Sequence, residues 1–465
     1  MLPCTGKRSQ GHTILHVSFG NSFGLASAQP PHRVCRVRPL FLIVICSCQH
    51  KSTHLALLDN DIANVDTIIK FPKLKGDEVF YYSDVYSEVR YVQLEETVNS
   101  MIGVISKIEI TNSNDILVFD NMSGSIVLFD KNGKYKNHIG HRGNGANEYI
   151  TPEDVVYDPY NNKVIVWDNN KCNLMYFDMK GNMLKKLKLD WYIRTFNILD
   201  KNRLIVYMDY SEDLSKTNIG YNYKILSHEG KIDTEFDSYG EDMKDFHPSC
   251  KNTFCRYNER LFFQSPYTSK IMELCGKTAK FKYYLDFGED KIPEAWLCGN
   301  NRDLNDKIRK YENKVFCTSY FISDNNIVMN LIRNRICYLA VYDKKEGTVI
   351  TGILGINDID ALLSSSQVYS VKDNNVYCVI DPLNCEKYYS MIKDVSCPSN
   401  VSGDIAEKFS DEMNSILSLF NHNSLLEEYI NAIKKKKTIL TSKEKEFLKN
   451  ASSFENPIIQ ICTLK

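Results

Sequence analysis

The sequence predicts an all-β chain that forms a six-bladed β-propeller of four-stranded antiparallel blades, with a C-terminal helical insertion before the closing strand. Three observations predict this fold. A unit of about 48 residues recurs, short runs within each unit alternate apolar and polar residues, and a strand-like segment returns at the end of the chain. The 465 residues are 43% hydrophobic with a formal net charge of −1, which is ordinary for a globular protein and gives no indication of nucleic-acid binding.

The repeat is clearest between residues 115–139 and 163–187. In both segments an apolar run ends in Asp-Asn, a second run ends in Phe-Asp, and a glycine turn leads into a third run. With a leading strand, each unit is predicted to be a four-stranded meander. Five identities lie 48 positions apart, namely Asp120 and Asp168, Asn121 and Asn169, Phe129 and Phe177, Asp130 and Asp178, and Gly133 and Gly181.

Later units follow the same order more loosely. Gly230, Gly276 and Gly347 mark the turns of the third, fourth and fifth units, and the longer spacing before Gly347 predicts an insertion at residues 289–313. A single blade cannot cover both of its apolar faces, whereas a closed ring of blades covers both and leaves only short protected edges. An open solenoid is the alternative, but solenoid repeats are usually shorter or helical.

The two ends of the chain are predicted to meet in the last blade. Residues 404–450 have the apolar spacing of amphipathic helices, and residues 456–464 return to a strand pattern. We expect this strand to complete the last blade beside the early strand Val89–Leu94, which would lock the ring. The basic run Lys434–Lys437 is interpreted as a solvated helix end rather than an anion site.

The N-terminal region has the pattern of an export signal. Residues 1–47 contain five basic and no acidic residues and end in a short apolar run, and Ile45-Cys46-Ser47-Cys48 resembles a bacterial lipobox. This predicts cleavage before Cys48 and lipidation of that cysteine. The alternative is a buried strand with incidental cysteines. Because signal peptides usually have about 15–30 residues, we expect the true start to lie downstream of residue 1.

These patterns predict five segments along the chain. They are a signal or leader segment (1–47), a lipidated tether (48–65), the propeller (66–403), a helical insertion (404–450) and the closing strand (451–465). The eleven cysteines after Cys48 show no CxxC pair and no zinc-ligand spacing, so most are predicted to be buried core residues and no metal site is predicted. A disulfide between Cys250 and Cys255 remains an alternative.

The glycine-rich stretch GHRGNGANEY (140–149) could bind a phosphate or connect two blades. A phosphate loop would be followed by a helix, whereas here residues 149–152 lead into a strand, and no GK[ST] is present. We therefore predict a connection from the outer strand of the first blade to the inner strand of the second, with Arg142 and Glu148 pairing locally. A ligand contact is the alternative, because such crossing loops line one mouth of the ring.

Several motifs together resemble the six-bladed β-propeller lipoproteins of Bacteroidota, which are relatives of the NHL-repeat propellers. These motifs are the lipobox, Tyr91–Glu95, Ser106-Lys107-Ile108, two hairpins and the stretch 140–149. The resemblance covers residues 66–395, and the closing Asn456-Pro457-Ile458-Ile459 also fits. It implies the fold and a cell-envelope location, but it implies no catalytic residue.

We expect a lipid-anchored envelope scaffold whose propeller binds a glycan, a peptide or an envelope protein, but no nucleic acid. The periplasmic side of the outer membrane is favoured over the surface. The alternative is a hydrolase or lyase with a site in the central channel, although neither GxSxG nor HExxH occurs and no catalytic residue or cofactor is predicted. Aromatic, basic and loop residues of the crossing segments are the candidate binding residues, namely Arg142, Glu148, Trp191, Tyr192, Arg194, His247 and Trp296.

Overall fold

A computed structural model describes residues 64–382 and 442–465, apart from residues 77, 213, 215–218, 244, 249–251, 277, 312, 361–364, 366 and 452–455. The predicted leader, the lipidation site Cys48 and most of the tether lie outside the described residues. So do residues 383–441, which contain most of the predicted helical insertion.

Six blades, each built on four antiparallel strands, confirm the predicted propeller. The chain begins with β1 (Thr67–Lys70), β2 (Val79–Tyr81), the one-turn helix α1 (Tyr82–Val85) and β3 (Tyr86–Gln93). Blade 1 consists of β4 (Ile105–Ile110), β5 (Ile116–Asp120), β6 (Ser125–Phe129) and β7 (Tyr135–His138). Blade 2 consists of β8 (Pro152–Asp158), β9 (Lys163–Asp168), β10 (Asn173–Phe177) and β11 (Met183–Lys188).

The next two blades follow the same order. Blade 3 consists of β12 (Thr195–Ile198), β13 (Arg203–Tyr207), β14 (Gly220–Ser227) and β15 (Ile232–Tyr239). Blade 4 consists of β16 (Phe254–Tyr257), β17 (Arg260–Phe263), β18 (Lys270–Cys275) and β19 (Thr278–Asp286). Strand β1 pairs in parallel with β19, so blade 4 has a fifth strand that the repeat pattern did not predict.

Blade 5 consists of β20 (Val315–Ile322), β21 (Asn326–Arg333), β22 (Ile336–Asp343) and β23 (Val349–Gly352). Beside it, β2 pairs in parallel with β24 (Leu354–Ile356). The predicted insertion before blade 5 contains short 3-10 turns at Gly288–Asp290 and Glu294–Trp296 and the helix α2 (Asn301–Lys310). A third 3-10 turn, Glu241–Met243, precedes blade 4.

Blade 6 joins the two ends of the chain. Its strands β25 (Val368–Lys372) and β26 (Asn375–Ile380) are followed by the helix α3 (Ser442–Ala451) and the C-terminal strand β27 (Ile458–Leu464). The sheet order is β25-β26-β27-β3, so the closing strand lies between a strand of the sixth repeat and the early strand of the chain. The early strand begins and ends slightly before the predicted Val89–Leu94.

Six clusters of buried apolar residues hold the ring together, and each cluster joins two consecutive blades. The cluster between blades 1 and 2, for example, packs Ile126 and Leu128 against Val164 and Met175. The last cluster packs Ile459 and Ile461 of blade 6 against residues of blade 1, so the series closes on itself. Central strands such as β5 and β9 are buried along their length because blades pack on both of their faces, whereas the outer strand β11 alternates between half-buried and exposed residues.

The repeated turn glycines explain one of the sequence identities. Gly133 and Gly181 have φ angles of +84° and +85°, a conformation that favours glycine. A Cβ on Gly133 would lie 2.0 Å from the carbonyl oxygen of Gln93, and a Cβ on Gly181 would lie 2.0 Å from that of His138. Each glycine therefore allows its blade to approach the outer strand of the preceding blade.

Candidate functional site

The inner strands of blades 1 and 2 bring charged side chains together at the axial channel. The Lys107 Nζ lies 2.9 Å from Asp154 Oδ1 and 3.4 Å from Glu109 Oε1. The side chains of Lys107 and Glu109 are 20% and 25% exposed, and that of Asp154 is 4% exposed. Burial lowers the pKa of Lys107, but the two carboxylates raise it and their effect is larger. Burial raises the pKa of Glu109, and the lysine opposes that rise.

The Asp154 carboxylate also connects three consecutive blades. It accepts hydrogen bonds from Thr195 Oγ1 at 2.6 Å and from the Phe196 amide at 3.2 Å, both on the inner strand of blade 3. It further accepts one from its neighbour Val155 at 2.8 Å. Because Lys107 and three donors surround this carboxylate, the group stabilises the junction of the blades rather than presenting a free acid or base.

The loops that lead into the six inner strands lie on one face of the ring, which we call the entry face. Here the crossing from blade 2 to blade 3 brings together Trp191, Tyr192 and Arg194. The Arg194 guanidinium lies 2.7 Å from Glu153 Oε1 and 3.3 Å from the Tyr192 hydroxyl. Burial lowers the pKa of Arg194, but the tyrosine and the carboxylates of Glu153 and Asp209 raise it overall.

His247 joins the next crossing loop to the β13–β14 hairpin. Its Nδ1 donates to the main-chain oxygen of Asp209 at 2.8 Å, and the Asp209 side chain accepts from the Tyr207 hydroxyl at 3.3 Å. Asp209 and Tyr210 are consecutive non-glycine residues with positive φ angles of 54° and 57°. The hairpin therefore makes a sharp reversal that His247 supports from the neighbouring loop.

Trp296 belongs to the insertion before blade 5, and this insertion packs on the same part of the entry face. An apolar cluster joins Phe246, Ile292 and Leu304 with the partly buried Tyr210, Met243 and Trp296. The Gly299 amide also donates to the Asp242 main-chain oxygen at 3.2 Å. Three segments that are distant in sequence thus form one surface over blade 3.

A cleft of about 330 Å³ opens in this surface. We call it the blade-3 cleft, and it is lined by Tyr210, Asn222, Asp237, Ser238, Tyr239, Gly240, Asp242 and Met243. The two tyrosine rings contact each other edge-to-face, with centroids 5.0 Å apart. The volume is at the lower end of the range for small-molecule sites, so the cleft is suited to a small ligand or to the end group of a longer one.

Asp237 is the most unusual residue of the cleft. It lies in β15 with a φ angle of +59°, opposite Asn222 and between the cross-strand pairs Tyr221–Ser238 and Tyr223–Phe236. Its Oδ2 accepts a hydrogen bond from the side-chain Nδ2 of Asn222 at 3.2 Å. Burial raises the pKa of the Asp237 carboxyl, and the hydrogen bonds from Asn222 and Ser265 only partly offset this effect.

Arg142 and Glu148 lie elsewhere on the entry face. Arg142 donates to the main-chain oxygens of Ile150 and Ser123 at 3.1 and 3.3 Å, and Glu148 accepts from the Gly145 amide at 2.7 Å. Each side chain thus bonds separately to the main chain, where the sequence suggested that they pair with each other. The stretch 140–149 connects β7 of blade 1 to β8 of blade 2, as predicted.

The repeated Asp120 and Asp168 hold these connections in place. Asp120 accepts from the amides of Met122 and Gly103, both at 2.9 Å, and Asp168 accepts from the amide of Thr151 at 2.9 Å. The two aspartates therefore cap the turns beside them.

The described residues contain neither a metal-binding cluster nor a membrane-spanning helix. No three histidine, cysteine or acidic side chains of the described chain are grouped so that they could hold a metal ion. No helix in this part is both long and apolar enough to cross a membrane. Cys255 is a buried free thiol, and Cys250 lies outside the described residues.

One protein family matches most of the chain. The family described as a domain of unknown function, DUF4934, matches residues 66–395. The chain belongs to the DUF4934 family. The matched residues extend from β1 to a point beyond β26, and they include every residue of the blade-3 cleft. No curated protein matches the chain.

A solved structure shows the same fold as this DUF4934 protein, and a second is reported beside it. A protein of Bacteroides fragilis that is described as exported superposes with a TM-score of 0.57 and 16% identity, covering 86% of this chain and 100% of its own. A member of the DUF4221 family from Bacteroides vulgatus gives a TM-score of 0.38 and 13% identity, covering 58% of this chain and 85% of its own. At 16% identity, the first likeness extends to the fold alone.

None of the residues that line the cleft of the DUF4934 domain was among the binding residues predicted from the sequence. Asn222 and Asp237 lie within the strand segments GYNYKILS and IDTEFDSY, which resemble any other half-buried strand. Only the aromatic residues beside them gave a compositional signal. Lys107 and Asp154 are separated by 47 residues, nearly the length of one repeat, so their proximity could have been deduced from the alignment of the first two units.

Proposed function

We propose that this DUF4934 protein is an envelope lipoprotein whose propeller binds a ligand or partner at the entry face over blade 3. The blade-3 cleft carries this proposal, because it combines tyrosine rings, carboxylates and a buried amide at the place where three chain segments meet. Clefts of this kind are where binding sites are usually found. The neighbouring Trp191, Tyr192, Arg194, His247 and Trp296 would contact a larger ligand or support the cleft.

Two further facts support the envelope part of the proposal. The stretch Ile45–Cys48 has the order of a lipobox, and the Bacteroides fragilis protein with the same fold is described as exported. We infer that Cys48 carries the lipid and that the protein faces the periplasm from the outer membrane. A hydrolase or lyase in the axial channel is less well supported, since the Asp154 carboxylate is engaged by Lys107 and by main-chain and hydroxyl donors.

The binding proposal is tested by capture from envelope extract with three forms of the protein. The wild type is compared with Tyr210→Ala/Asp242→Ala, which changes the cleft, and with Lys201→Ala, which changes the exposed β12–β13 hairpin on the opposite face. We expect a partner or glycan that the wild type and Lys201→Ala retain and that the cleft variant loses. Equal capture by all three forms would contradict the proposed site.

Lipidation is tested in cells with a labelled fatty acid. The wild type and Cys46→Ala should be labelled, because Cys46 lies two residues before the proposed lipidation site. Cys48→Ala should not be labelled and should leave the membrane fraction. Labelling of Cys48→Ala at the wild-type level would remove the anchor from the proposal, and digestion of the protein by protease added to intact cells would exclude the periplasmic side.

A further inference from the structure

The blade-3 cleft has an excess of negative charge and of hydrogen-bond acceptors. Asp237 and Asp242 line it, and none of its described lining residues is a lysine or an arginine. Among the residues that the structure describes, neither aspartate forms an ion pair. The hydrogen-bond partners of the Asp237 carboxylate are Asn222 and Ser265, and both are uncharged. Asp237 is half-buried and Asp242 is exposed. A partly desolvated carboxylate that contacts only neutral donors is stabilised by a cationic ligand.

Two basic side chains among the described residues of this region are already engaged elsewhere. Lys224, whose side chain is 3% exposed, contacts Glu235 and lies 2.7 Å from Glu212. Arg194 is paired with Glu153 at 2.7 Å. Both basic side chains are thus paired with carboxylates that do not line the cleft.

The aromatic residues favour an organic cation over a metal ion. Tyr210 and Tyr239 line the cleft beside the carboxylates, and a cation near a tyrosine ring gains from the negative face of the ring. A Ca²⁺ site usually draws on several carboxylates, whereas the described lining has two, one of which already accepts from Asn222, and no third acidic, histidine or cysteine side chain of the described residues joins them.

We propose that the blade-3 cleft binds an alkylammonium or guanidinium group, with Asp237 and Asp242 as its anionic contacts and Tyr210 and Tyr239 as its aromatic walls. The group would be the end of a basic peptide side chain or of a polyamine. This proposal rests on the proposed binding function and gives the chemical class of the ligand. Ser238 and the Gly240 main chain are further polar groups of the lining that could accept from the cation.

The test is a titration of the whole purified protein by calorimetry at constant ionic strength. The probes are n-butylamine, its neutral counterpart n-butanol, spermidine, and a blocked lysine peptide with its acetyl-lysine form. We expect the amines and the lysine peptide to bind, and butanol and the acetylated peptide to bind at least about tenfold more weakly. A preference for spermidine over the peptide identifies a polyamine as the source, and the reverse identifies a protein side chain.

Two variants and one control connect the binding to the cleft. Asp237→Asn should lower the affinity for the amines by about 10- to 100-fold, because a charge-assisted contact is lost. Tyr210→Leu should lower this affinity several-fold. Asp245→Asn removes the same charge from an exposed position of the adjacent loop that does not line the cleft, and it should bind as the wild type does. The thermal midpoint of each variant is measured to confirm that it is folded.

Three results would overturn the proposal. They are equal binding of butylamine and butanol, unchanged amine binding by a folded Asp237→Asn, and a Ca²⁺ or N-acetylglucosamine affinity that exceeds that for the amines and depends on Asp237. If the cleft variant of the capture experiment loses its partner while the amines fail to bind, the binding function stands and only the chemical class of the ligand is wrong.

Discussion

Substitution of Gly181 tests the packing that closes one blade against the next. Gly181 has a φ angle of +85°, and a Cβ at this position would lie 2.0 Å from the His138 carbonyl oxygen and 3.1 Å from its carbon. The contacting atoms belong to the main chain, so no side-chain rotation can relieve the overlap. Gly347 provides a matched control, because its φ angle is +69° and no atom lies within 4 Å of its Cβ position.

The two alanine variants share one cost and differ in a second. A left-handed backbone costs an ordinary residue about 1–2 kcal/mol, and this applies to both positions. At Gly181 the His138 carbonyl must also retreat by about 1 Å to reach the shortest distance that real Cβ atoms tolerate, and overpacking of this kind costs about 1–3 kcal/mol. We therefore expect Gly181→Ala to lose about 2–5 kcal/mol of unfolding free energy and Gly347→Ala about 1–2 kcal/mol.

Thermal unfolding followed by circular dichroism measures the difference. With an unfolding entropy of about 2.1 cal/mol/K per residue, a propeller spanning residues 66–395 changes its midpoint by about 1.4 °C per kcal/mol. Gly181→Ala should lower Tm by about 3–7 °C and Gly347→Ala by about 1–3 °C. Equal shifts in the two variants, or a larger shift in Gly347→Ala, would refute the reasoning that the glycine is required by contact between blades.

Three further predictions concern polar side chains. Asn456→Ala should cost about 2–4 kcal/mol in chemical denaturation, since this buried side chain bonds to the Ile102 amide and to two main-chain oxygens; an unchanged midpoint would show that the closing strand does not depend on it. Lys107→Met should cost about 2–4 kcal/mol by leaving the Asp154 carboxylate without its cation, and adding Asp154→Asn should restore part of that loss; a double variant as unstable as the sum of both changes would contradict this. Asp237→Asn should stabilise the protein most at neutral pH. Because burial raises the pKa of the folded Asp237 carboxyl, its ionisation destabilises the fold above that pKa, and the advantage of asparagine should fade as pH falls toward the ordinary aspartate value of about 3.9; a stability difference that grows on acidification would be the wrong sign.

The sequence carried enough information to predict the blades because each blade is a local structure. The identities at Asp120 and Asp168 mark turns whose side chains bond to nearby amides, and Gly133 and Gly181 mark turns that need a positive φ angle. Such features depend on residues within one unit or on the preceding unit, so they repeat with the unit. The pairing of the final strand with the early one was predictable for a related reason, since an unclosed ring would leave an apolar face uncovered.

The binding surface was less predictable because its residues come from separate units that have diverged. Residue type alone pointed to four candidates, namely Trp191, Arg194, His247 and Trp296. Nothing in the spacing predicted that His247 and Trp296 lie near the segment that contains Tyr210. Asp237 gave no signal at all, since an acidic residue in an alternating strand is usually solvent-exposed. It is half-buried, and it shares the cleft with Tyr210 and Met243, which pack against the insertion.

By itself, the sequence determined the type of blade, the place of the crossing loops and the position of the closing strand, because these follow from short-range alternation, turn chemistry and the need to cover apolar faces. Only the tertiary structure decided that Lys107, Asp154 and Thr195 meet across three blades and that Asp237 lines a cleft beside two tyrosines. These contacts join residues from different units of the ring. Their charge and burial depend on how the blades and loops are packed in space, which no period in the sequence records.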